Sequence, residues 1–154
     1  MANLLNRILY VLRNFSILLL LLNSTNSMGQ MVLECPVPDK NGFDDFLKKF
    51  EEDINFQRTR LILPLVVREG DYSMAVVEVS LWDLGKIKSL QEPLILSKSQ
   101  RKKELVTEDI LLNTKRYVEV FHDGPPESDL YRMLYKFRFV NGCWYLEELH
   151  DKSE

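Results

Sequence analysis

Between residues 43 and 54 the apolar side chains recur at helical spacing. Phe43, Phe46, Leu47, Phe50 and Ile54 fall on one stripe. Lys48, Lys49, Glu51 and Glu52 read as the solvent side. Asn41 stands where it can cap the first turn, and Asp44 and Asp45 place negative charge where the helix dipole favours it. Three phenylalanines on one face are more than an isolated helix needs, so the stripe predicts a broad apolar surface beneath it, a sheet. The helix runs directly into residues 61–67, a β-rich run. Pro64 within that run has no N–H to give to a ladder, which predicts an edge or bulged strand.

The strictest alternation lies at 130–140. Tyr131, Met133, Tyr135, Phe137 and Phe139 share one face, while Arg132, Leu134, Lys136, Arg138 and Val140 share the other. Asn141-Gly142 follows, a pair suited to a type I′ turn because both positions need positive φ. Residues 143–150 then return as the second strand. A two-residue turn sets the register: Phe139 with Trp144, Phe137 with Leu146, Val140 with Cys143, Arg138 with Tyr145, and Lys136 with Glu147. Such cross-strand pairs each contribute roughly 0.2–1 kcal/mol. The same count places Glu148 opposite Tyr135 and His150 opposite Met133, on a face otherwise made of Phe, Trp, Leu and Met. A buried bare charge is costly. These groups therefore predict either a pocket or a strand end opening into water. In the pocket, Glu148 serves as base or hydrogen-bond acceptor, with Tyr131, Tyr135 and His150 beside it as ligand-binding residues.

The middle of the chain is less patterned. Residues 74–79 form a β-branched run that predicts a second strand. Ser80 with Asp83 can start a short helical turn carrying Trp82. Residues 92–96 read as a strand, followed by a solvated basic loop with Lys98, Arg101, Lys102 and Lys103, then a short strand or helix over 105–112. Residues 115–121 alternate as another strand. His122 and Asp123 fall in the closing Gly-Pro turn, where His122 reads as exposed. Asp53, Gln57 and Arg60, at the junction of helix and strand, read as groups that satisfy orphan backbone atoms rather than as ligands.

Composition bounds the function. The chain has 154 residues, a single-domain length. Arg7 and Arg13, an apolar run at 15–22 and a small polar segment at 23–27 have the order of a secretory signal. The expected division is a signal peptide over 1–27, an extended lead-in over 28–41 containing Pro36 and Pro38, and one α+β domain over 42–152. The alternative to cleavage after Ser27 is an uncleaved N-terminal anchor. Cleavage predicts an exported protein, periplasmic or secreted, with no membrane attachment afterwards. It also removes two arginines and no acid, moving the net charge from −3 to −5. An acidic domain whose single basic cluster lacks interleaved aromatics predicts no nucleic-acid partner. Cys35 and Cys143 are the two cysteines. In an oxidising compartment they form either a bridge, worth ~3–4 kcal/mol in the chain-entropy picture, or two separate buried thiols. No metal site is expected, because there is no CxxC and no Cys/His cluster. No cofactor is expected either, in the absence of GxGxxG and P-loop motifs. Neither cysteine nor histidine has the local partners of a nucleophilic triad.

The spacing Phe43-x-x-Phe46-x-x-x-Phe50-x-x-Asp53-x-x-Phe56-Gln57-x-x-Arg60, followed by Leu63-Pro64-Leu65, resembles the opening of a bacterial family of exported domains of unknown function. Tyr135-x-Phe137, Asn141-Gly142-x-Trp144-x-Leu146 and Asp151 are similar to that family's end. The resemblance covers residues 43–151, loosely over 69–108, and Leu63 stands where the family pattern has phenylalanine. It implies a nuclear-transport-factor-like, cystatin-like cone: a long helix packed into a curved antiparallel sheet that ends in a β-hairpin. That fold hosts isomerases, dehydratases, ligand binders, immunity-type proteins and scaffolds, and so selects no function. The leading expectation is a non-catalytic module that binds a small molecule or a protein partner through its concave face. Two alternatives remain: an isomerase- or lyase-type enzyme with Glu148 as general base, and a structural interaction subunit that exposes an apolar patch and forms a homodimer.

Overall fold

The aromatic stripe forms helix α1, Phe43–Glu52, with Phe43, Phe46, Leu47 and Phe50 all buried. The protein is described from a computed structural model over residues 31–32, 39, 42–70, 76–125 and 131–153. Asn41, the expected cap, lies outside these residues; Gly42 holds the N-cap position without a side-chain hydrogen bond. The helix does not continue to Ile54. Asp53 adopts extended backbone and caps a second helix, α2 (Ile54–Thr59), by accepting from the N–H groups of Asn55 and Phe56. A residue that caps the next helix cannot also continue the previous one, so the single predicted helix is two.

A two-residue strand β1, Met31–Val32, precedes these helices, and eight elements follow them in chain order: β2 (Leu61–Glu69), β3 (Glu78–Trp82), α3 (Leu84–Ser89), α4 (Lys98–Glu104), β4 (Thr107–Asn113), β5 (Tyr117–Asp123), β6 (Arg132–Val140) and β7 (Cys143–Asp151). The strands form one mixed, largely antiparallel sheet in the order β1-β2-β7-β6-β5-β4, with β3 also on β2. The helix α1 and its aromatic stripe cover one face, where Phe137 meets Phe43, Phe46 and Phe50 at centroid distances of 5.3, 5.7 and 5.4 Å. The expected α+β architecture, helix on curved sheet with a terminal hairpin, is the one observed.

Pro64 sits in an interior strand rather than an edge. Strand β2 pairs with β1 and β3 along one side and runs parallel to β7 along the other, with a register shift between Leu61 and Val66. The irregularity removes the need for a proline N–H. The region around residues 74–83 also shifts: the strand begins at Glu78, and Asp83 rather than Ser80 caps the helical turn, accepting from the Lys86 N–H. Residues 92–96 form no strand, and residues 97–104, expected as a loop, form α4. Its capping box joins Ser97 and Gln100 in both directions.

The hairpin turn has Asn141 at φ 51° and Gly142 at φ 85°, as a type I′ turn requires. Val140, Phe139, Arg138 and Phe137 pair with Cys143, Trp144, Tyr145 and Leu146. Beyond Phe137 the register slips, so that Lys136 pairs with Glu148, Tyr135 with Leu149 and Leu134 with His150. Glu147 is the extra residue of a bulge. Asp39 ties the lead-in to this hairpin. Its N–H donates to Gly142 O at 3.0 Å, and its carboxylate accepts from Trp144 N–H at 2.7 Å and pairs with Arg60 at 3.3 Å. Cys143 is buried and disulfide-bonded; Cys35 lies outside the described residues. Strand β4 forms the far edge, and its Ile110, Leu111 and Leu112 are all exposed.

Candidate functional site

The bulge at Glu147 corrects the expected pocket. Side chains alternate along a strand, so one extra residue sends everything after it to the opposite face. Leu149, not Glu148, takes the place beside Tyr135 on the helix-covered face and joins its core. Glu148 lies on the outer face, where its carboxylate accepts from His150 at 2.8 Å and pairs with Lys136 at 3.4 Å and Arg68 at 3.6 Å. Burial raises the Glu148 carboxyl, but the His150 hydrogen bond and the two cations outweigh it and hold it below its ordinary range. Burial lowers the His150 imidazole. These two residues form a hydrogen-bonded pair on the outer face, and the Glu148 carboxyl is easier to ionise than usual, the opposite of what a buried base there requires. Glu148 and His150 are therefore removed from the helix-covered face, while Tyr131 and Tyr135 remain together, their hydroxyls 3.0 Å apart.

A different polar cluster occupies the helix-covered side of the sheet. Strand β5 alternates, with Val118, Val120 and His122 buried and their neighbours less so. His122 thus continues a core row instead of lying in an exposed turn. Its ring meets Tyr135 edge-on at 5.1 Å, and it pairs in register with Glu108 on β4 and Met133 on β6. His122 Nε2 is 3.0 Å from the Glu108 carboxylate. Arg101 reaches the same group from α4, with one guanidinium nitrogen 3.0 Å from Glu108. Its other terminal nitrogen bonds Glu51 and donates to Leu96 O at 2.9 Å. Glu51, assigned to solvent by its helical phase, is buried at the flank of the α1 stripe, and Arg101 is buried with it.

Sequence order explains how these groups meet. The α4 capping box fixes the helix that carries Arg101. Gln57 holds the preceding segment down, donating to Phe50 O at 2.7 Å and accepting from Leu94 N–H at 2.8 Å. Asp53, Gln57 and Arg60 all have structural partners, as their junction position suggests.

Two carboxyls compete for one guanidinium, and the imidazole decides between them. The hydrogen bond from His122, reinforced by Arg101, holds the Glu108 carboxyl at about 2. Burial, with the Glu108 charge close by, pushes Glu51 up to about 7. Burial also lowers His122, which favours the neutral imidazole at neutral pH. Burial raises both tyrosines, Tyr135 strongly. Between pH 4.5 and about 7 the folded protein keeps a proton on Glu51 that the unfolded chain has released. That contribution is complete at low pH and is lost as pH rises through 7. Glu51→Gln escapes it. Unfolding free energies measured for the variant and parent are expected to shift in the variant's favour between pH 5 and pH 8, by up to about 3 kcal/mol. The difference is the quantity to read, because neutral His122 adds a slope of opposite sign to both proteins. A pH-independent difference would show that Glu51 does not hold this proton.

Glu51, Glu108 and His122 bring ligand atoms within 4.8 Å of one another, a spacing compatible with a metal ion. Arg101 fills the role of that cation, and its fixed positive charge opposes a second one. His122 Nδ1 is different. It is buried in a residue with 0% exposure and has no hydrogen-bond partner among the described residues. Two signals in the sequence point to this cluster: the Ser97/Gln100 capping box, and the Val118-Val120-His122 alternation carried past residue 121.

No protein-family model and no curated protein matches the chain. Among solved structures, an NTF2-like protein from Bacteroides fragilis superposes with a TM-score of 0.52 at 18% identity, over 73% of this chain and 47% of the other. A cystatin-like protein from Bacteroides caccae gives 0.47 at 16% identity, over 71% and 75%. The chain spans about half the length of the first of these. The superposition with the first, together with helices on one face of a largely antiparallel sheet, gives this protein the NTF2-like fold.

Proposed function

We propose that this protein is a small-molecule-binding module whose ligand engages the polar cluster of Glu51, Arg101, Glu108, His122, Tyr131 and Tyr135 on the helix-covered face. The observation that carries the reading is His122 Nδ1, a fully buried polar atom without a partner among the described residues. Such atoms are scarce in folded proteins because each costs about 1–3 kcal/mol. A site built to receive a ligand is one reason to keep one. Half-buried Tyr131 and Met133 border the cluster and give it an edge nearer to solvent. The signal-like N-terminus and the disulfide-bonded Cys143 support an exported location.

A melting-temperature screen of the purified chain against a broad fragment library tests the site. A fragment at about 100 times its Kd adds about 2.7 kcal/mol to folding stability, a shift of several degrees. Hits are expected to weaken in Tyr131→Phe and to persist in Glu148→Gln. An empty screen overturns the proposal, as do hits that depend on Glu148 and ignore Tyr131.

The same dyad favours a second reading. A carboxylate that orients a neutral imidazole and leaves its other nitrogen free is the arrangement of a general base. Glu51 at about 7 would be matched to proton transfer near neutral pH. Turnover lost in both Glu108→Gln and His122→Gln would favour this reading over binding alone. The base would then be His122, not Glu148.

A further inference from the structure

The protonation pattern of the cluster constrains what it can bind. Glu108 is ion-paired to Arg101, and an ionised carboxylate only accepts hydrogen bonds. The hydrogen between Glu108 and His122 must therefore lie on Nε2. Neutral imidazole carries one N–H, so Nδ1 presents a bare lone pair. The surrounding charge points the same way. Arg101 is the cation of the cluster, and both its terminal nitrogens are committed to Glu51, Glu108 and Leu96 O. Against it stand Glu51 and Glu108, with Glu104 and Asp151 close enough to add to burial in making the Tyr131 hydroxyl harder to ionise. The tyrosine hydroxyls share one hydrogen bond, which leaves one hydroxyl proton over.

Resting on the reading of this cluster as a ligand site, we infer that its ligand offers a hydrogen-bond donor, an alcohol hydroxyl or an amine, to His122 Nδ1, and that carboxylates and phosphates are excluded. An anion would bring an acceptor to an acceptor and a negative charge to an acidic surround. A hydroxyl gives its proton to the lone pair and can accept the spare tyrosine proton. An ammonium gives a proton and meets the acids.

Three probes with one ring and different head groups test this: benzyl alcohol, benzylamine and benzoate, titrated into chain labelled with ¹⁵N-histidine. The chain holds two histidines, and His150→Gln assigns the His122 signals without disturbing the cluster. The assignment therefore does not depend on a His122 variant folding. Benzyl alcohol or benzylamine is expected to move the His122 Nδ1 resonance saturably, with benzoate weaker by about tenfold or more. The stronger of the two favourable probes tells hydroxyl from ammonium. Benzoate binding as well as the others, with His122 Nδ1 moving, would overturn the donor requirement and leave the site in place. If no probe moves His122, the inference and the ligand site fall together, and a buried water is what completes the imidazole.

Discussion

Replacing Arg101 by methionine is expected to lower the unfolding free energy by about 3–5 kcal/mol, the usual cost of removing one partner from a buried ion network. Methionine keeps much of the side-chain volume, so the loss isolates charge from packing. The guanidinium compensates two carboxylates at once, Glu51 and Glu108, and fixes the 90–96 segment through Leu96 O. Without it, Glu51 stays protonated to higher pH, and Glu108 keeps only His122. Combining Arg101→Met with Glu108→Gln should therefore recover part of the loss, because Glu108 is the carboxylate that stays charged when the guanidinium is gone. Urea unfolding at pH 7 reads both variants. A loss below about 1 kcal/mol for the single variant, the range of exposed ion pairs, would mean that Glu51 reaches water as Glu108 already does.

Phe137→Ala is expected to be as damaging, about 3–5 kcal/mol by the loss of buried surface plus the void left behind. Phe137 is 1% exposed and lies edge-on to Phe43, Phe46 and Phe50. Edge-to-face pairs each add about 0.5–1.5 kcal/mol beyond area, and one substitution removes three. Its position in the register, between Val118 and Leu146, means that no neighbour can close the gap without moving a strand. Phe139, half-buried at the hairpin end against Trp144 at 5.1 Å, is the comparison: Phe139→Ala should cost clearly less. Equal losses would show that the core is not centred on the α1 stripe.

These two residues also mark the limits of what the sequence makes readable. Phe137 was legible because two periodicities agreed on it, the helical spacing of Phe43, Phe46 and Phe50 and the strict alternation of 130–140. Asn141-Gly142 then fixed the strand pairs nearest the turn. A turn sets the register only until the first irregularity, and nothing in the residues around Glu147 announces a bulge. From there every side chain was assigned to the wrong face, which made a pocket residue of Glu148 and hid Leu149. Arg101 failed for another reason. A run of lysines and an arginine reads as solvent until a helix phase singles out the one position that turns inward, and that phase depends on the Ser97 cap. His122 was missed by ending a strand early, since the glycine and prolines that follow weighed more than the alternation that precedes them. Glu51 was unreadable by pattern, because its burial comes from Arg101, which belongs to a distant part of the chain.

The place of β7 in the middle of the sheet has a consequence for how the protein is made. Strands β1, β2 and β3 hold together on one side, and β4, β5 and β6 on the other, and among the described residues no ladder joins the two groups except through residues 143–151. As the chain folds, β2 and β6 therefore each present an unpaired edge until β7 takes its place between them. The sheet closes in a single late step with high sequence separation between β2 and β7, which is slow by topology. During that interval, the open edges are where chaperones would hold the chain and where copies of it would stick together.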